Sequence, residues 1–321
     1  MQPNQPTHAE AQARTKADLP PYSPARRSTS VIAQVRGLRY HIRSWGSPEA
    51  VSPGRPPLVM LHGWMDVAAS FQFVVDALQT ERYVLAPDWR GFGLTQSPGL
   101  DTYWFPDYLA DLDALLDQLL PGQTIDLLGH SMGGNVAMFY AGVRSQRVRR
   151  LINLEGFGLP DSHPEQAPKR YAKWLDELKQ PVELRSYDSL QAVADRLCKT
   201  NPLLRRDRAD WLAPHWAQQA HDGRWEILGD PVHKRINPVL YRREEALACW
   251  QQISAPVLWA EGDQTDLKKF WGDRYPRADF EARLATVKQL ERHVLSPAGH
   301  MLHHDQPEAL ARHIEAFLER R

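Results

Sequence analysis

"DLLGHSMGGNVAMF", residues 126–139, decides how this chain is read. A short apolar run leads into Ser131, and "GNVAMFYAG" then reads as a helix. Gly129-His130-Ser131-Met132-Gly133 thus has the G-x-S-x-G form between an expected strand and an expected helix. A serine on so sharp a turn has its hydroxyl lifted clear of the sheet. Glycines flank the turn because a side chain there would strike the neighbouring strand or helix. The turn also points the Met132 N–H at the space above the serine, where a developing oxyanion can be held. An ordinary tight turn has the same look, so the partners must decide.

Serine is a weak nucleophile at neutral pH and needs a base. His300, in "SPAGHMLHHDQPEAL", follows the last expected strand and precedes the final helix, so its loop can return to the strand end that carries Ser131. His303 and His304 are expected at the surface or behind the site. An acid should then fix the tautomer of His300. "PVLWAEGDQTDLKKF" offers Asp266, which is preferred, and Asp263. Either can instead cap the local turn or helix. Glu155, ending the previous strand in "LINLEGFG", is the third candidate, and spacing alone leaves the three open. A second oxyanion donor is expected from the loop after "VMLHG", with the Trp64 N–H the natural choice.

Outward from this corner, short apolar strands alternate with helical segments. "VIAQVRGLRYHIRSWG" (31–46) predicts a hairpin turning at Arg36-Gly37. "PLVMLHG", "YVLAPDWRGFG", "TIDLLG", "RLINLEG", "PVLWAEG" and "LERHVLS" predict strands, with helices over "AASFQFVVDALQ", "DYLADLDALLDQLL" and "PEALARHIEAFLER". The alternation argues for a mostly parallel sheet flanked by helices, an α/β fold. The rhythm breaks after Gly156. Residues 157–250 are rich in Trp, Pro and charge and predict short amphipathic helices, a cap over the strand ends where ligands of open sheets bind. Trp174, Trp211, Trp216, Trp225 and Trp250 lie there, expected mainly as packing with one or two facing a pocket. The division is thus a polar, proline-rich tail over 1–30, a core over 31–156 and 251–321, and the cap.

The 321 residues balance 39 basic against 39 acidic side chains, so no basic excess points to nucleic acid or an anionic membrane. Two cysteines make no disulfide framework, and no Cys/His spacing looks like a structural zinc site. No stretch is long and apolar enough to span a bilayer, and the N-terminus lacks a signal-peptide core. A cytoplasmic protein is expected, without stable membrane insertion, metal or organic cofactor.

In this order the motifs resemble the α/β-hydrolase superfamily, in its capped single-domain form. "LHGW" resembles its oxyanion loop, "DWRGFGLT" its D-x-R-G-x-G-x-S/T segment, "GHSMGG" its nucleophile elbow and "AGHMLHHDQPEAL" its histidine loop. "HGWMD" is also similar to the serine hydrolase-like branch. The likeness spans residues 31–321. It implies Ser131 as nucleophile, His300 as base, Trp64 and Met132 amides as oxyanion hole, and a mainly structural segment at Asp88, Arg90, Gly91 and Gly93. The acid departs: relatives place an aspartate three residues after a glycine at this strand end, whereas Gly262 is followed by Asp263 and Asp266. Some relatives carry it one strand earlier, where Glu155 stands. The likeness implies cleavage of a small or medium apolar ester through an acyl-enzyme. Carbon–carbon hydrolysis, amide cleavage, perhydrolysis and a non-catalytic ligand-binding relative are the alternatives. Serine rather than carboxylate at position 131 speaks against a haloalkane dehalogenase or epoxide hydrolase.

Overall fold

The computed structural model describes residues 20–320. Eight strands form one sheet: β1 (Ser28–Val35), β2 (Leu38–Trp45), β3 (Leu58–Leu61), β4 (Val84–Pro87), β5 (Ile125–His130), β6 (Val148–Leu154), β10 (Val257–Gly262) and β11 (Leu290–Leu295). Their order is β1-β2-β4-β3-β5-β6-β10-β11. The β1–β2 hairpin and the β2–β4 pair are antiparallel; every later pairing is parallel. This is the α/β-hydrolase fold. The hairpin turns where expected, with Arg36 and Gly37 both at positive φ.

The inner strands β3, β4, β5 and β10 are buried along their whole length and read as nearly continuous apolar runs, because both faces of the sheet are covered there. Successive residues of β5 enter opposite cores. Leu127 joins Val59, Leu61 and Trp259 on one face, and Leu128 joins Met60, Ile152 and Leu258 on the other. Fully burying each such leucine contributes about 2 kcal/mol. The helix Phe105–Leu119 buries Leu112, Leu115 and Leu116 against the first face, as its apolar stripe predicts. It also buries Asp111, which the stripe does not predict. That carboxylate is held by Arg90 at 2.6 and 2.7 Å, by the Tyr40 hydroxyl at 2.6 Å and by Arg36 at 2.8 Å.

Residues 1–19 of the expected tail lie outside the described residues. Its last part is held against the core. The Tyr22 hydroxyl and the N–H groups of Ala25 and Arg26 donate to Asp76, and β1 already begins at Ser28.

Between β6 and β10 the chain forms the expected amphipathic helices Ala167–Leu178, Leu190–Thr200 and Arg206–Trp216. It also forms a small antiparallel sheet that the sequence reading does not foresee: β7 (Ser186–Tyr187), β9 (Trp225–Ile227) and β8 (Ala217–Gln219). The last helix assigned to this insertion, Arg243–Gln251, packs on the core instead. A Cβ on Gly142 would sit 2.0 Å from the Cys249 carbonyl oxygen, so the two helices meet backbone to backbone, and Trp250 is buried in the sheet core. Among the described residues no helix is long and apolar enough to cross a membrane.

Candidate active site

The site begins at the C-terminal end of β5. Ser131 adopts φ 52° and ψ −115°, a conformation that costs a non-glycine residue about 1–3 kcal/mol. Its N–H donates to Leu154 of β6 at 2.8 Å. The flanking glycines are sterically required. A Cβ at Gly129 would lie 2.2 Å from the Gly133 carbonyl oxygen, and one at Gly133 would lie 2.1 Å from that of Leu61. Met132 is the first residue of the helix Met132–Val143, so its N–H has no intrahelical acceptor.

Ser131 Oγ lies 3.0 Å from His300 Nε2, and His300 Nδ1 lies 2.7 Å from Glu155 Oε2. Three side chains far apart in sequence thus form one hydrogen-bonded chain, with His300 27% exposed and Glu155 fully buried. The other carboxylate oxygen of Glu155 accepts from Gly262 N–H and from the Thr265 hydroxyl, each at 2.7 Å. Both oxygens are therefore committed to donors. The hydrogen on Nδ1 faces Glu155, and the lone pair on Nε2 faces the serine.

The carboxylate on His300 is that of Glu155, and neither the preferred Asp266 nor Asp263 bonds to it. Asp266 is the N-cap of the helix Leu267–Trp271 and accepts from Lys268 N–H at 2.9 Å. Asp263 accepts from the Ser296 hydroxyl at 2.6 Å and from Ala298 N–H at 2.9 Å. Each does the capping work that was its alternative role. The reason lies in the strand order: β6 is the immediate neighbour of β5, while β10 is one strand further from Ser131. Glu155 turns off β6 at φ 58°, and the longer glutamate spans the remaining gap.

The loop after β3 presses on the serine from the other side. A Cβ on Gly63 would come within 2.9 Å of His130 Nδ1 and 3.2 Å of Ser131 Cβ, so this loop packs directly against the serine turn. His62 fixes this loop. Its Nε2 accepts from Trp89 N–H at 2.9 Å, its Nδ1 donates to Gly63 at 2.7 Å, and burial pushes the imidazole pKa down. The Asp88 segment supports it in turn. Asp88 accepts from His41 Nδ1 and Ala68 N–H, both at 2.7 Å, and its carboxylate fills the space a Cβ on Gly93 would need. Trp64 is 51% exposed and Phe270 46% exposed, the latter with its ring 4.9 Å from that of His300.

Four features escape the sequence reading. Thr265 holds Glu155, as above. His130 lies at 2.8 Å from the His300 carbonyl oxygen through Nε2, tying the elbow to the histidine loop. His233, in the insertion, is stacked between Phe92 and Tyr103, with ring centroids 3.7 and 3.5 Å away, and burial lowers its pKa to about 4. Of the two places expected for His303 and His304, the structure shows the buried one, and what the reading misses is their neighbour Asp66. A histidine one residue before Ser131, or three or four after His300, carries no periodic signal that separates core from surface.

A family model described as alpha/beta hydrolase fold matches residues 56–307. A serine hydrolase-like protein of Dictyostelium discoideum is 25% identical over 303 residues, covering 88% of this chain and 79% of the relative. The esterase YbfF of Escherichia coli is 25% identical over 278 residues, covering 82% of this chain and 92% of the relative. Among solved structures, a thioesterase domain from the curacin biosynthetic pathway superposes with a TM-score of 0.78 at 27% identity, over 90% of this chain and 99% of that one.

Proposed function

The chain belongs to the α/β-hydrolase family, and from that premise we propose that it is a serine hydrolase cleaving carboxylic esters of small or medium apolar acyl groups. The observation that carries the proposal is the unbroken Ser131–His300–Glu155 chain at 3.0 and 2.7 Å. His300 takes the Ser131 proton as Oγ attacks the carbonyl carbon, and Glu155 stabilises the imidazolium that forms. The tetrahedral oxyanion is held by the Met132 and Trp64 amides; one such donor is worth about 3 kcal/mol in the transition state. His300 then protonates the departing alcohol, and its neutral form next activates the water that releases the acid and restores Ser131.

The half-exposed Trp64 and Phe270 flanking these groups favour an apolar acyl chain. The segment 157–242 is read as a cap. Its residues 228–230 bond to the Asp88 loop, Gly93 N–H to Leu228 at 2.9 Å and Asp230 N–H to Gly91 at 2.7 Å. The esterase and thioesterase relatives support acyl transfer as the reaction class.

The test is fluorophosphonate labelling of wild type and Ser131→Ala, beside turnover of p-nitrophenyl esters of graded chain length and of a vinylogous diketone. Labelling confined to Ser131 with turnover of short and medium esters is expected. Turnover of the diketone alone would reject the ester reading, and an unlabelled wild type would reject catalysis altogether.

A further inference from the structure

Beside His130, whose ring lies 4.3 Å from that of His303, three side chains from two loops converge. Asp66 follows the oxyanion loop, and His303 and His304 lie in the short helix Leu302–Asp305 just after His300. One ligand atom from each lies within 4.8 Å of the others, and all three residues are buried. Asp66 Oδ1 is occupied by Val67 N–H and the Ser70 hydroxyl, but Oδ2 has no hydrogen-bond partner. Nδ1 of His303 and Nε2 of His304 are likewise buried without one, and Nε2 of His303 faces Asp66 Oδ2 at 3.6 Å, beyond a good hydrogen bond. So many unsatisfied atoms in one place is rare in folded proteins, where buried polar groups find a partner almost without exception. A buried carboxylate in addition demands a compensating charge.

We propose that Asp66, His303 and His304 form a buried binding site for a borderline divalent cation of the zinc type. Two imidazoles and one carboxylate suit such an ion, whereas calcium and magnesium take oxygen donors. Two ligands each about 2.1 Å from one tetrahedral ion stand about 3.4 Å apart. Asp66 Oδ2 and His303 Nε2 are already 3.6 Å apart, so the main adjustment is a swing of the His304 ring.

Such an ion has a structural consequence. It joins the loop that carries Trp64 to the loop that carries His300, and the insertion braces the same place: Arg208 donates to the His304 carbonyl at 3.2 Å and Asn201 to Asp305 at 2.8 Å. The ion thus clamps two loops of the site and takes no part in the reaction. The inference is independent of the substrate proposed above.

The experiment uses the full chain without a histidine tag, refolded with Zn(II) or Co(II), dialysed against a weak chelator, and examined by elemental analysis and Co(II) absorption. Wild type is expected to retain one ion per chain with a tetrahedral Co(II) spectrum. Asp66→Asn and His303→Gln should lose it. His313→Gln should keep it, since that change touches only the separate His293–His313 pair beside Glu291. Wild type that retains no more metal than His303→Gln overturns the proposal. Should the cluster variants fail to fold, wild type alone decides: one equivalent of Zn(II) must raise its thermal midpoint, and an unchanged midpoint with no retained metal refutes the site.

Discussion

Replacing Glu155 by glutamine tests the assignment of the acid with almost no change of shape. Three donors converge on this carboxylate: His300 Nδ1–H on one oxygen, and Gly262 N–H with the Thr265 hydroxyl on the other. An amide has one oxygen and one NH2. Facing the oxygen to Gly262 and Thr265 satisfies two donors and turns the NH2 toward His300. Nδ1 must then accept, which moves the imidazole hydrogen to Nε2, where it points at Ser131 and the nucleophile loses its base. The opposite flip keeps the His300 bond but sets an NH2 against a buried N–H, at a cost of about 1–3 kcal/mol. The wrong tautomer in a triad of this kind lowers kcat by about 10⁴, equivalent to about 5.5 kcal/mol.

The assay is steady-state hydrolysis of a p-nitrophenyl ester by Glu155→Gln, Asp266→Asn and Asp263→Asn, each checked for folding by thermal melting. Glu155→Gln should lose about 10³–10⁴ in kcat, with a little-changed KM, from the wrong tautomer. Asp266→Asn should stay within about threefold, since asparagine caps as well as aspartate, while Asp263→Asn, which keeps one acceptor for the histidine loop, should lose far less than Glu155→Gln. Collapse of Asp266→Asn beside an active Glu155→Gln would refute the reasoning.

Thr265→Val should lower kcat about tenfold, roughly 1.4 kcal/mol, by releasing one Glu155 oxygen, while Thr265→Ser keeps the hydroxyl and the rate; equal rates in the two variants would deny Thr265 a positioning role. Gly133→Ala places a Cβ 2.1 Å from a backbone oxygen and should destabilise by about 3 kcal/mol, whereas Gly54→Ala, with open space around it, should stay within about 0.5 kcal/mol; urea unfolding of both checks the contrast. His233, ordinarily near 6.5 and lowered to about 4 by burial, must stay neutral in the folded chain. Between those values the unfolded chain binds more protons, so stability falls as pH drops from about 6.5 to about 4, by at most about 3 kcal/mol from this residue. His233→Gln should melt with a shallower acid dependence than wild type, and identical slopes would contradict the stacked, neutral imidazole.

The elements carried by local signals were legible in the sequence. Each parallel strand appeared as a short apolar run, and the serine elbow and His300 loop were marked by glycine and by their place at strand ends. The acid was less so. Asp266 and Asp263 stand where a capping residue and a triad acid look alike, and only three-dimensional reach separates them. Glu155 was named but ranked last, because strand adjacency is a property of the sheet order and not of spacing along the chain. Asp66, His303 and His304 were harder still. Asp66 is separated from the two histidines by most of the chain, and adjacent histidines on one helical turn follow no burial period. The antiparallel β7–β9–β8 sheet, with strands of only two or three residues, is too short to leave a pattern of alternation.

With Glu155 proposed as the acid, at the end of β6 rather than β10, the neighbouring loop has a different task. With Glu155 one strand from Ser131, the loop after β10 is free of the need to deliver a carboxylate, yet it still has to wall off the buried one. It does so with a backbone N–H at Gly262 and a hydroxyl at Thr265, both directed at the same Glu155 oxygen. Asp263 meanwhile holds the histidine loop through Ser296 and Ala298. The β10 loop therefore braces both ends of the acid–base pair without joining it. That division explains why its two aspartates looked catalytic in sequence: they sit beside the relay, on the element that fixes its geometry. Acid and base are held by separate donors, so a change at Asp263 should loosen His300 while leaving Glu155 in place, and a change at Thr265 should do the reverse.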